Sequence, residues 1–273
     1  MSTDPEHLAA KAMLADVFSA SAPSYDQVID FFGPFGSALV AAADLPRGAT
    51  VLDVACGRGA CLYPALEAVG PEGRVLGVDL AAGMVEHLAA ELAAAGVANA
   101  EVQVGDAEHL DLESSSIDAV TAGFVIFFCP DPDRVLAEMA RVLRPRGVVA
   151  LSIFDGDTPS KWLREVGAEL FGPTDARPSE AFDRADVLEA ALAHAGFTDV
   201  TGIDVIEPVR FSSLEQLEAW HRSHFARLLL EALTPEQLEV YRGRMAENLA
   251  PHRQADGSYL LSQRARITVA RRR

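Results

Sequence analysis

The chain has 273 residues, and 40 acidic against 23 basic side chains leave it a formal net charge of −17. That balance excludes a binder of nucleic-acid backbone, which needs concentrated positive charge, and a protein that docks on an anionic membrane leaflet. With 49% hydrophobic residues it is no solvated tail, and the length suits one large α/β domain or two small ones.

The N-terminal MSTDPEH is acidic and has no basic segment ahead of an apolar run, so no signal peptide is expected. Residues 5–20 read as an Ala-rich helix opened by Asp4-Pro5, with Leu8, Met13, Leu14, Val17 and Phe18 on one face. A Ser/Pro turn, SAPSYDQVIDFF, leads into a second amphipathic segment. From Ala49 the rhythm becomes strand and helix in turn. The runs ATVLDVA, RVLGVDL, AEVQVGD, IDAVTAG and GVVALSIF are short, apolar and β-branched, with helical patterns over 60–69, 82–95 and 133–143 between them. Strands apolar on both faces, alternating with helices, predict a parallel sheet covered on both sides. The most apolar stretch, Ala119 to Cys129, is far shorter than the ~20 residues of a membrane span.

After Phe154 the alternation loosens. Helices are expected over 160–171 and 183–195, the second stopped by Gly196, and a strand over 199–206. Two more helices, 213–233 and 235–249, carry Ser/Gln and Thr-Pro/Gln start signals, and a last strand covers 264–271. So long an insertion between strands is usually functional and predicts a lid over a pocket. The basic ending ARITVARRR reads as charged residues blunting an edge strand. Cys56, Cys61 and Cys129 sit at no CxxC spacing and form no disulfide framework, which fits a reduced, cytoplasmic setting.

The chemistry starts at VLDVACGRGA, Val51 to Ala60, a strand running into a Gly-containing turn and a helix. Bare backbone at Gly57 and Gly59 lets a ligand come close, and the helix start adds amide donors. A tight turn alone would need the same glycines. The next strand ends in Asp79, where dinucleotide-type folds place the acid that binds ribose hydroxyls, and the third ends in Asp106. Asp53, Asp79 and Asp106 thus share the carboxyl edge of one sheet. Each alone is also a common turn or cap residue.

On APSYD, VLDVACGRGA, GVDLAAGMV, GDAEHLDL and DPDRVLAEMARVLRPRG, the stretch from Ser24 to Phe154 resembles a class I S-adenosylmethionine-dependent methyltransferase, in the branch of the ubiquinone/menaquinone C-methyltransferases and many small-molecule methyltransferases. The resemblance implies a Rossmann-like α/β fold: a mostly parallel seven-stranded sheet, helices on both faces and a helical lid. The domain plan is a single unit of 1–273, with a helical cap at 1–45, the cofactor core at 46–206, the lid at 207–258 and the last strand at 259–273. It implies that Ala55, Gly57 and Gly59 line the methionine end of S-adenosyl-L-methionine, with Asp53 near its amino group. Asp79 would bind the ribose, Leu80 and Met84 flank the adenine, and Asp106 face the adenine amino group beside Ala107. Gly123 and Phe124 would lie next to the methyl group, and Tyr25 would close over the cofactor.

Two positions depart from the pattern. Ala55 stands where many relatives have Gly, and Phe127-Phe128 where many carry His, which removes one candidate base. The remaining candidates lie in the lid, where EAWHRSHFARLLL groups Trp220 with His221 and His224 on one helical face. Either histidine is expected to face the acceptor as base or hydrogen-bond partner, unless both are plain lid residues. Phe128, Trp220, His221 and His224 are expected to touch substrate. No third ligand accompanies the histidines, so no metal is expected. The expected reaction moves a methyl group to an oxygen or carbon of a small, fairly apolar molecule, a secondary metabolite or quinone-like phenol. The partner is that small molecule, with no nucleic acid or membrane, and the chain acts as a monomer or homodimer. Rival readings are a non-methylating rearrangement or cyclisation on the same cofactor site, a cofactor-sensing module, and a nicotinamide-dependent oxidoreductase, against which the missing GxGxxG spacing counts.

Overall fold

The computed structural model describes residues 4–154, 161–171 and 178–273. Seven strands form one sheet in the order β3-β2-β1-β4-β5-β7-β6: β1 Thr50–Val54, β2 Arg74–Asp79, β3 Ala100–Val104, β4 Ile117–Gly123, β5 Leu143–Phe154, β6 Phe197–Phe211 and β7 Tyr259–Arg272. Pairing is parallel from β3 across to β5, and only β7 runs against its two neighbours. The order reverses beside β1, which opens a crevice at the carboxyl ends of β1 and β4, the usual ligand position in open α/β sheets.

Ten α-helices are described: α1 Pro5–Ser21, α2 Gly33–Ala43, α3 Leu62–Val69, α4 Ala82–Ala94, α5 Pro132–Val142, α6 Lys161–Phe171, α7 Ala185–His194, α8 Leu214–Arg222, α9 Arg227–Ala232 and α10 Pro235–Leu249. On one face of the sheet Leu39, Leu62, Ala65 and Leu88 pack on Val51 and Val75. On the other, Val135, Leu136, Met139 and Leu188 pack on Leu52, Val120 and Val149. A third cluster, with Phe31, Phe35, Trp220, Tyr241 and Met245, joins the lid helices to the sheet edge. Each such side chain contributes about 1.5–3 kcal/mol on burial. No helix among the described residues is long and apolar enough to cross a membrane.

Four local expectations are corrected. In α1 the buried stripe is Lys11, Leu14, Val17 and Ser21, whereas Leu8 is 46% and Met13 36% exposed. An Ala-rich helix has little apolar contrast of its own, and the ion pairs of Lys11 turn it. The helix expected over 213–233 breaks between α8 and α9. There the Ser223 hydroxyl and His224 Nδ1 both reach the Trp220 carbonyl, a local bond that competes with helical continuation. Strands β6 and β7 outrun the expected 199–206 and 264–271, because they pair with each other from Phe197↔Arg272 to Phe211↔Tyr259. The basic terminal strand is interior, not an edge, and β6 is the edge. Its arginines answer acids: Arg264 meets Asp204 at 2.6 Å, and Arg266 meets Asp204 at 3.1 Å and Glu189 at 3.0 Å. The expected helix start at Ser160 lies outside the described residues.

Candidate active site

The turn after β1 holds three consecutive odd-numbered residues in the left-handed region: Ala55 at φ 55°, Gly57 at 50° and Gly59 at 91°. Its hydrogen bonds run from Cys56 N–H to the Val78 carbonyl (3.1 Å) and from Gly59 N–H to the Cys56 carbonyl (2.8 Å). A Cβ built on Gly57 meets nothing within 4 Å, so the backbone there is bare toward a cavity. At Gly59 a Cβ would strike the Tyr63 ring at 2.8 Å, and Gly59 does not line the cavity; Arg58 and Ala60 do. The left-handed conformation costs a non-glycine residue about 1–2 kcal/mol, and glycine's extra unfolded freedom returns about 0.5–1 kcal/mol. Ala55→Gly is therefore expected to raise stability by up to about 1 kcal/mol in urea unfolding; a loss would show that the Ala55 methyl is needed for packing.

The three strand-end acids are held differently. Asp53 is 1% exposed; its Oδ1 accepts from the Thr121 hydroxyl at 2.7 Å, the Leu62 backbone amide is close enough to favour its ionised form, and its Oδ2 has no hydrogen bond of normal geometry among the described residues. Burial pushes its carboxyl up to about 7, against the Thr121 bond, which favours the ionised form. Asp79 accepts from Gly57 N–H with Oδ2 and from Ala81 N–H with Oδ1, both at 2.8 Å. Burial raises it too, the two amides working in the opposite direction. Asp106 Oδ2 meets Lys11 Nζ at 2.7 Å, and Glu108 Oε2 meets the same nitrogen at 2.5 Å.

Asp53 gives a pH test. A carboxyl whose native value lies above the usual one stabilises the fold at low pH and loses that contribution as pH rises through about 7. Asp53→Asn removes the effect and keeps an oxygen for Thr121. The variant's stability relative to wild type is expected to grow by about 1.4 kcal/mol per pH unit between pH ~4 and ~7. Parallel pH curves from chemical denaturation would rule this out.

Above the turn lies a cavity of about 320 Å³. Lys11, Leu14, Phe18 and Tyr25 roof it from the N-terminal segment. The roof is tied down at several points. Lys11 holds Asp106 and Glu108, Ser19 Oγ accepts from Gly83 N–H at 3.2 Å, and Arg58 donates to the Ala22 carbonyl and pairs with Glu91. Of the residues predicted to bind cofactor, Tyr25, Asp53, Ala55, Gly57, Asp79, Leu80, Met84, Asp106, Ala107, Gly123 and Phe124 all line this cavity, and so do Phe128, Trp220, His221 and His224. Sequence reasoning missed Lys11, Arg58 and Glu108. Lys11 is one of only two lysines in the chain and sits among alanines, the one signal that marked it.

The lid side is aromatic. Phe124 stacks on Phe154 (4.4 Å between centroids), Tyr25 on Phe32 (5.4 Å), and Phe128 meets Phe18 and Phe225 at 5.6 and 5.2 Å. Into this wall α8 brings Trp220 and His221, and the break after it His224, at 9%, 2% and 9% exposure. His224 Nδ1 lies 2.8 Å from both the Trp220 carbonyl and the Ser223 hydroxyl. The hydroxyl proton goes to that same carbonyl at 2.8 Å, so both neighbours accept, Nδ1 carries the proton and Nε2 keeps its lone pair. His221 Nδ1 is 2.8 Å from the Tyr241 hydroxyl. Both Nε2 atoms and Trp220 Nε1 have no partner among the described residues. Burial pulls His221 down to about 3 and His224 to about 4, so both rings are neutral near pH 7.

A Gly-containing turn, Asp53 and two further strand-end acids thus border one crevice on a doubly wound sheet, and the same cavity continues between aromatic walls. Residues 51–147 match the family model described as a methyltransferase domain. The chain is 34% identical over 256 residues to nocamycin O-methyltransferase of Saccharothrix syringae, spanning 86% of this chain and 90% of that one. It is 38% identical over 143 residues to aklanonic acid methyltransferase DauC of Streptomyces sp. strain C5, spanning 52% and 65%. Among solved structures, the YcgJ protein of Bacillus subtilis superposes with a TM-score of 0.61 at 19% identity, covering 88% of this chain and 99% of that one. The [4+2]-cyclase SpnF shares the fold at a TM-score of 0.55 and 22% identity, covering 86% and 79%. The chain belongs to the class I S-adenosylmethionine-dependent methyltransferases, and the methyl-transfer reading stands over its rivals.

Proposed function

We propose that this enzyme methylates the hydroxyl oxygen, or a carbon activated by that hydroxyl, of a small aromatic or enolic acceptor, with His224 as the base. The observation that carries this is the unpartnered His224 Nε2, its lone pair fixed by the Trp220 carbonyl, on a residue that lines an aromatic chamber. When bound, S-adenosylmethionine supplies an activated methyl group on a sulfonium that leaves as a neutral thioether. The orphaned Asp53 oxygen and the bare backbone at Gly57 suit its polar methionine end, and Asp79 suits its ribose. Ala55 and Arg58 border the methionine end, Leu80 and Met84 the adenine, and Asp106 with Ala107 its amino group.

His224 Nε2 takes the acceptor's proton as the acceptor bonds to the methyl carbon. Phe124, Phe128 and Phe154 keep water from the reacting atoms, and Tyr25 closes the roof. Holding the reactants in line is worth up to roughly 7–11 kcal/mol in favourable intramolecular cases. A base whose value is pulled down to about 4 is always unprotonated near neutrality but weakly basic, so it suits hydroxyls that are themselves acidic, as in phenols and enols. The relatives named as nocamycin O-methyltransferase and aklanonic acid methyltransferase support methylation of a small molecule. The chain would work as one domain, its helical cap and lid enclosing the core, in the reducing cytoplasm that three free thiols suit.

The test is methyl-labelled S-adenosylmethionine with a panel of phenols and enols. One equivalent of S-adenosylhomocysteine per labelled, methylated product is expected. Tight cofactor binding with no labelled product from any acceptor would overturn the proposal and favour a cyclase-type reaction.

A further inference from the structure

The geometry points to a specific recognition pattern: the chamber selects acceptors with a hydroxyl and a carbonyl oxygen side by side, the hydroxyl donating to His224 Nε2 and the carbonyl accepting from Trp220 Nε1–H. This deepens the reading above and rests on it, since it assigns His224 to the acceptor.

Trp220, in the last turn of α8, and His224, just past its end, lie four residues apart with ring centroids 4.8 Å from each other. Both rings are nine-tenths or more buried, both line the cavity, and both polar tips lack a partner among the described residues. Their roles are opposite and fixed. An indole N–H can only donate. His224 can only accept at Nε2, because the Trp220 carbonyl accepts the Nδ1 proton and the nearby Ser223 hydroxyl spends its own proton on that carbonyl. An adjacent donor and acceptor buried without partners are matched by a ligand carrying the complementary pair. His221 does not narrow the pattern, because the Tyr241 hydroxyl beside its Nδ1 can either donate or accept.

The surroundings agree. Phe31 lies 4.7 Å from Trp220 and Tyr25 4.4 Å from His224, so the pair sits between flat rings. The cations that line the cavity, Lys11 and Arg58, are already paired with Asp106, Glu108 and Glu91. An uncharged acceptor is therefore favoured over a carboxylate. Conjugation to a carbonyl also acidifies a hydroxyl, which is what a weak base requires.

Four naphthalenes test the pattern by titration calorimetry on enzyme saturated with S-adenosylhomocysteine. They are 1-hydroxy-2-acetonaphthone (groups adjacent), 6-hydroxy-2-acetonaphthone (groups apart), 1-naphthol and 2-acetonaphthone. The adjacent isomer is expected to bind at least about tenfold tighter than the other three. Trp220→Phe should bring it to the level of 1-naphthol and leave 1-naphthol unchanged. Equal binding of the two isomers, no binding of any probe, or an equal loss for both ligands in Trp220→Phe overturns the inference. If that variant does not fold, the wild-type isomer comparison decides alone. Labelled methyl transfer to the same probes separates the two levels. Selective binding without transfer sinks the methylation proposal and keeps the pattern, whereas transfer to 1-naphthol as readily as to the adjacent isomer keeps methylation and sinks the pattern.

Discussion

Replacing Asp79 by alanine is expected to weaken S-adenosylhomocysteine binding by about 100-fold or more. In the structure its two oxygens accept from Gly57 and Ala81 N–H at 2.8 Å each. Those bonds use two of roughly four lone-pair positions and fix the carboxylate at the tip of β2. The remaining positions are left for the pair of ribose hydroxyls proposed to bind there. Charge-assisted hydrogen bonds of this kind contribute about 1.5–3 kcal/mol each, so losing two gives the stated range. The fold should also lose stability, about 1–3 kcal/mol for each of the two amides left unpaired, partly offset because the cost of burying the carboxylate, which raises its proton affinity, goes with it. Asp79→Asn, which keeps one acceptor oxygen, should fall between the two. Titration calorimetry checks both variants; an alanine variant with an unchanged dissociation constant would mean that the cofactor lies elsewhere.

The second large effect is expected at His224. His224→Phe keeps a ring against Tyr25 and Phe32, which lie 4.4 and 5.5 Å away, but removes the lone pair. Loss of a positioned base lowers kcat by about 10²–10⁴, while S-adenosylhomocysteine affinity should stay the same. The pH profiles should also part. The wild-type rate should hold until His224 protonates near about 4. The variant should speed up with rising pH, until the acceptor's own hydroxyl ionises. Full kcat in His224→Phe, or the same profile for both proteins, would remove His224 from the chemistry.

What could be read directly from the residues was set by short-range chemistry. The parallel strands announce themselves because burial on both faces leaves Val51–Val54 and Val148–Ile153 almost without polar interruption. The donor-side residues follow from strand ends and a Gly-containing turn. The remainder depended on distant partners. Lys11 is buried only because Asp106 and Glu108 lie nearly a hundred residues away, and that pairing set the face of α1. Strands β6 and β7 look short in isolation, since Gly202 and Pro208 interrupt the first, yet their mutual pairing extends both. Trp220, His221 and His224 were visible as a group, but which nitrogen of His224 is free became clear only once a backbone carbonyl was found beside the other.

The final rung of the β6–β7 ladder, Phe211↔Tyr259, has a further meaning. The chain departs for α8–α10 and returns at the same step, so residues 212–258 form a cartridge plugged into a socket of two adjoining residues. Trp220, His221 and His224 all belong to the cartridge, whereas the residues proposed to hold the methyl donor belong to the frame. Exchanging one cartridge for another would change the acceptor wall and its base together while leaving the donor side of the scaffold in place, a route by which one scaffold could diversify its chemistry.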